Sequence, residues 1–354
     1  MKKSYLILAA VAGLFASCSQ NEDLVQIVDE PVEIGFVNGF VNNVTRAELL
    51  NGWFTTDGNQ FGVYGFKGTD QLFGSNTAAE AVTWEASKSD WTHPTVRFWD
   101  KSADNYAFYA YAPLAATHTF SADKKYSFTG ISLIKDITEA NADLAISTPL
   151  TGQKWDGNCT MSDPGHGVGH VEFTFNHILS KLSFKVKTDV EASVATIKLN
   201  KIDLDFPTAT SVSWAQTAAT AVAGATTFTG YTAKDAVNTT TGEIDYTKYE
   251  TSVFNGTFGD LTSTAQEPTD SKTFIVAPVN TTQTAHEFGV KVEYTITYAD
   301  SKTETAKATG VISYAPAQNT YQVVIININP AAIEFCVKEI NNWTPATDTT
   351  IEVN

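Results

Sequence analysis

The sequence predicts an all-β protein of sandwich architecture, and three observations carry that prediction. Short runs of alternating apolar and polar residues recur along the chain, separated by Gly, Asn, Asp or Pro. That is the period of half-buried strands punctuated by turns. Helical periodicity is scarce, with Ala140–Ile146 as the one stretch that suggests a short helical turn. Aromatic residues make up 12% of the chain and charged residues 18%, a balance of filled cores rather than of disorder. Many short strands between turn residues point to β-sandwiches with Greek-key links.

The chain opens on Met1-Lys2-Lys3-Ser4, an apolar run from Tyr5 to Phe15, and Ala16-Ser17-Cys18. Two lysines before an apolar run too short for the ~30 Å hydrocarbon core of a bilayer make an export signal over residues 1–17, excluded from the fold. A cysteine behind small residues resembles the lipobox of bacterial lipoproteins, which implies acylation of Cys18. Phe15 departs from that pattern, and a plain cleaved signal is the other reading. The polar, acidic stretch that follows makes residues 18–31 a tether.

Strand signals begin at Ile34 and Phe36, which alternate with small or polar residues. Phe61–Phe66 and Tyr106–Tyr111 follow, the second closed by Pro113. Val171, Phe173 and Phe175 alternate with Glu172 and Thr174; Leu182, Phe184 and Val186 alternate with Ser183 and Lys185. Ile197 and Leu199 are out of phase with Ile202, Leu204 and Phe206, which predicts a bulge near Asn200-Lys201 because a one-residue slip turns side chains over. Residues 207–270, rich in Thr, Ala and Ser, read as hairpins with long polar connections. From Phe288 to Tyr298 every second residue is apolar, one dry and one wet face of an antiparallel sheet. Tyr321–Ile328 is a β-branched run closed by Pro330, and Ile333–Ile340 is the last full strand, ending at Trp343.

Formal charge is −16, and loss of Lys2 and Lys3 takes it to −18. Such a chain repels nucleic acid and anionic headgroups. Cys159 and Cys336 either pair in an oxidising compartment or stand as two thiols. Nucleophile-elbow, zinc-protease and phosphate-loop motifs are missing from the sequence. Asp163, His166, His170 and His177 are the one constellation that suggests a metal, but Gly165, Gly167 and Gly169 oppose the helix it would need. No metal and no cofactor are expected. Trp53, Trp84, Trp91, Trp99 and Trp155 would serve a glycan-binding surface if exposed and the core if buried. A carboxylate pair for glycoside hydrolysis is not identifiable among 39 acidic residues.

Five segments in order resemble the fimbrillin family, the type V pilins of Bacteroidetes. They are Ile34-Gly35-Phe36 with Val44-Thr45-Arg46-Ala47; Phe61-Gly62-Val63-Tyr64; and Trp99 with Tyr106–Pro113. Asp143-Leu144 with Phe173–Leu182, and Tyr321 with Ile325, Ile328, Val337, Ile340 and Trp343, complete the set. The acidic residues after Cys18 also resemble the signal that sends lipoproteins of this phylum to the outer face of the outer membrane. The resemblance implies two transthyretin-like Greek-key sandwiches in tandem, placed here at 32–170 and 171–354. It also implies a non-enzymatic subunit assembled by strand exchange. Its partners would be other fimbrial subunits, the outer membrane through lipid, and a surface glycan or protein.

In that scheme a protease cuts between Arg46 and Ala47, and the strand holding Ile34, Phe36, Val37, Phe40 and Val41 leaves. Burying about five apolar side chains of a replacement strand yields on the order of 10 kcal/mol gross. The candidate donor strand carries Ile333, Phe335, Val337, Ile340 and Trp343. Only eleven residues follow Trp343, which is short for a separate donor and leaves open a tip or anchor subunit that accepts without donating. The alternative reading is a surface glycan-binding lipoprotein that does not polymerise.

Overall fold

The computed structural model describes residues 31–41, 51–155, 169–233, 248–329 and 332–341. The first half of the described chain holds β1 (Gly35–Val41), a one-turn helix α1 (Asn51–Phe54), β2 (Gln60–Lys67), β3 (Asp70–Phe73), β4 (Glu80–Glu85) and β5 (Asp90–Thr92). There follow β6 (Tyr106–Ala112), β7 (His118–Phe120), β8 (Tyr126–Ile131), β9 (Ile134–Asp136), β10 (Ala145–Ser147), β11 (Leu150–Gln153) and β12 (His170–His177). The second half holds β13 (Ser180–Lys187), β14 (Ala195–Asp205), β15 (Ser211–Gln216), β16 (Gly224–Thr229) and β17 (Thr251–Phe258). It ends with β18 (Phe274–Val276), β19 (His286–Tyr298), β20 (Thr303–Tyr314), β21 (Thr320–Asn329) and β22 (Ala332–Asn341).

A nine-stranded sheet runs β1-β12-β10-β6-β2-β4-β5, with β11 on β6 and β3 on β2. Alternation in β2 and β6 sends Phe61, Val63, Phe108 and Ala110 to one face and Tyr64, Phe66, Tyr109 and Tyr111 to the other. The first set joins an aromatic core with Trp84, Trp91, Trp99, Phe173 and Phe175. The sheet curls around that core, so its two ends meet: the Phe36 ring of β1 lies 5.0 Å from His93, just past β5.

The outward tyrosines are covered by a four-stranded sheet, β16-β15-β8-β7. Tyr126, Phe128 and Trp214 press from this sheet onto the tyrosine wall, and Phe120 stacks on Tyr64 at 4.2 Å. This cover is built from segments 118–131 and 211–229, which are far apart in sequence.

The remaining strands form a five-stranded sheet, β22-β21-β13-β18-β9, and a four-stranded sheet, β17-β14-β19-β20. They share one aliphatic core in which Leu182, Phe184 and Val186 of β13 and Val324, Ile326 and Ile328 of β21 meet β14 and β19. The long alternating strand pairs antiparallel with β14 and β20, as its pattern predicts. Its register with β14 shifts between Leu199 and Lys201, at the predicted bulge.

Ala140–Ile146 is not helical. A turn places Ala142 N–H on the Glu139 carbonyl, and Ala145 and Ile146 then pair with both β6 and β12. Sheet pairing from two sides overrides the local spacing. In the Thr-rich segment, β15 and β16 form a hairpin and β17 pairs with β14; residues 234–247 lie outside the described residues. The strand from His170 completes the nine-stranded sheet, and the chain crosses to the aliphatic core at Ile178–Leu179.

Candidate functional site

The seat of β1 brings the residues singled out on the first strand together with His170 and Trp99. β1 is an end strand of its sheet and runs parallel to β12, with Gly35 opposite His170 and Phe36 opposite Val171. Parallel pairing is slightly weaker per residue than antiparallel pairing. Register is lost between Val37, opposite Glu172, and Phe40, opposite Thr174, so β1 carries one extra residue at Asn38-Gly39. Val37, Phe40 and Val41 are on the strand as expected.

Ile34 and Phe36 anchor this strand and are 0% and 1% exposed. The Phe36 ring meets Phe73 edge-on at 5.1 Å and stacks beside Phe173 at 5.8 Å. Such aromatic contacts add to the gain from burial alone. Residues 97–99 flank the segment on its other side: Ile34 N–H donates to the Arg97 carbonyl at 2.8 Å, and Trp99 N–H to the Val32 carbonyl at 2.9 Å. Trp99 Nε1 also donates to the Gly169 carbonyl at 2.8 Å.

Two glycines allow this close fit. Gly169 has φ +104°, and a Cβ there would stand 2.6 Å from the Glu33 carbonyl oxygen and from Val32 Cγ1. A Cβ on Gly35 would overlap the His170 imidazole, 2.5 Å from Nε2.

At the other end of β12, His177 Nδ1 lies 2.6 Å from Asp143 Oδ2, with both side chains 1% exposed. The register Ala145 opposite His177 brings them together. Neither the short Asp-Leu signal nor the later Phe-x-His signal discloses this pairing alone. Behind the sheet, Tyr64 O–H donates to His118 Nε2 at 2.8 Å while His118 Nδ1–H donates to the Ala116 carbonyl at 3.1 Å. Burial pushes the Tyr64 hydroxyl up to about 12 and holds the His118 imidazole below its ordinary value. The aliphatic half repeats the device: Tyr231 O–H donates to His286 Nδ1 at 3.0 Å, and His286 Nε2–H to the Ala277 carbonyl at 3.1 Å. Burial likewise lowers the His286 imidazole. Sequence reasoning missed both histidine–tyrosine locks, because their partners are more than fifty residues apart.

Ile333, Phe335, Val337 and Ile340 are on β22, which pairs antiparallel with β21 without interruption from Asn329–Ala332 to Thr320–Asn341. Cys18, Arg46, Ala47, Cys159 and Trp343 lie outside the described residues. So do Asp163 and His166, while His170 is at β1 and His177 is on Asp143. Among the described residues no group of three potential metal ligands comes together. Trp84, Trp91, Trp99 and Trp214 are in cores, and Trp53 and Trp155 are half-buried. No described helix is long and apolar enough to cross a membrane.

Curled and layered sheets with an end strand of this kind define an all-β sandwich protein. A family model described as fimbrillin-like matches residues 45–343, and the chain belongs to that family. The chain is similar to a fimbrial protein of Bacteroides vulgatus, at 18% identity and a TM-score of 0.54 over 88% of this chain and 99% of that one. That likeness extends the fold assignment. A fimbrial assembly protein of Parabacteroides distasonis matches at 11% identity and a TM-score of 0.36, over 87% of this chain and 95% of that one. No curated protein matches the chain.

Proposed function

We propose that this protein is a non-enzymatic structural subunit of a cell-surface fimbria, exported as a lipoprotein through Cys18 and matured by a cut after Arg46. Release of residues 18–46 removes β1, and a strand from a neighbouring subunit then fills the seat. The manner in which β1 is held supports this reading. It is a bulged, parallel end strand whose two described anchors reach an aromatic core. Once the connection through residues 42–50 is cut, no covalent link returns β1 to its seat. Its departure uncovers the walls around Ile34 and Phe36 and the free edge of β12, defects that an added strand repairs. Membership of the fimbrillin-like family agrees with a fimbrial or adhesive role, and adhesion to a surface glycan or protein is the corresponding task.

Trypsin treatment of the chain beginning at Ser19 tests this. The expected result is a new N-terminus at Ala47, loss of residues 19–46 and tight, SDS-resistant uptake of an added strand peptide such as Val32–Val41. A chain that resists cutting at Arg46, or that is cut and takes up no added strand, overturns the proposal.

A further inference from the structure

We propose that the seat of β1 is selective: it takes only a strand with glycine at the place of Gly35, flanked by two large apolar residues. This rests on the strand-exchange reading above. The occupant is therefore a chain with an apolar–Gly–aromatic segment, and not segment 332–354 of a second copy of this protein.

The selectivity follows from alternation. Ile34 and Phe36 point into the aromatic core, so the residue between them faces the other side of the sheet. Parallel register sets that residue opposite His170. The imidazole occupies the volume a side chain would need, since a Cβ on Gly35 overlaps it. His170 is engaged by an interaction of its own, so turning it away has a cost.

Sliding the incoming backbone aside offers no escape. Gly169 already lets the two strands come as near as a missing Cβ permits, with the Glu33 carbonyl and Val32 filling the place where that Cβ would stand. Gly35 N–H donates to the Gly169 carbonyl at 3.3 Å, and Trp99 Nε1 donates to the same carbonyl at 2.8 Å. A wider strand therefore has to move His170, break these bonds, or lift Ile34 and Phe36 from the core.

Every residue from Ala332 to Asn354 carries a Cβ. No register of that segment supplies what the seat requires, whereas Ile34-Gly35-Phe36 supplies it in three successive residues.

The test uses the trypsin-treated chain with labelled peptides: Val32–Val41, the same peptide with Gly35→Leu, and residues 332–354. Uptake of the first is expected, with the other two weaker by at least about tenfold, as overpacking predicts. An acceptor carrying His170→Ala is expected to take the first two peptides nearly equally. In the intact chain, Gly35→Leu is expected to lower Tm and His170→Ala to restore much of that loss, a readout independent of exchange. Equal uptake of all three peptides by the unaltered acceptor, or no rescue by His170→Ala, overturns the selectivity alone. Uptake of none overturns the exchange reading and the selectivity together.

Discussion

The nine-stranded and five-stranded sheets each carry a terminal strand, and the two are held in opposite ways. β22 follows β21 through two residues and pairs antiparallel from one end to the other. β1 runs parallel to a strand more than a hundred residues away, and its register breaks at Asn38-Gly39. A short connection keeps β22 at high local concentration beside its partner, so each opening is followed by reclosure. β1 has only its pairing and its buried anchors once the chain behind it is cut. A cut after Arg46 as proposed would free β1, whereas β22 would keep its covalent link to β21.

The largest expected way to break this contrast is Phe36→Ala. Truncating that ring should cost about 3–5 kcal/mol in chemical denaturation. It should also raise amide exchange in β1 and leave that in β22 unchanged. Equal loss of protection in both strands would sink the idea that they are held independently.

Tyr231→Phe comes next. It strips the O–H donor from a fully buried imidazole and should cost about 1–3 kcal/mol. Tyr64→Phe, where His118 is half-buried and water can substitute, should cost about 1 kcal/mol. The reverse order in urea titrations would show that burial of the imidazole does not set the cost.

In the unaltered chain, amides of β1 should exchange at least about tenfold faster than those of β22, a difference of ~1.4 kcal/mol in opening free energy. Hydrogen-exchange mass spectrometry reads both, and slower exchange in β1 would reverse the comparison.

The smallest effect is shared by both halves. His118 and His286 titrate below their ordinary value because burial disfavours the imidazolium. The unfolded chain then takes up protons first as pH falls. Stability is therefore full above about pH 6.5, declines below it, and levels off beneath the folded-state values. Tm should follow that course, and the decline should shrink when both histidines are changed to Gln.

Strand positions were legible wherever one face is dry. The run from Phe288 to Tyr298 and the phase slip before Ile202 declare a strand and a bulge in the residues themselves. Partnership was less legible. That Phe36 belongs beside Phe173, in parallel, depends on contacts across more than a hundred residues, and alternation does not encode strand direction. Ala140–Ile146 misled because its spacing is short and its true partners, β6 and β12, lie elsewhere in the chain. The glycine at position 35 is visible in the sequence, but its meaning rests on His170 lying over it.

The parallel pairing of β13 with β21 runs without a break from Lys181–Tyr321 to Lys187–Asn327. Tension applied between the start of β13 and the end of β21 pulls the two strands along each other in opposite directions. Their rungs are then loaded together, in shear, and several must fail at once. An antiparallel hairpin pulled at its open end fails one rung at a time. The aliphatic half of this molecule is thus a clamp against longitudinal force, at the place where the chain leads to its last described strand.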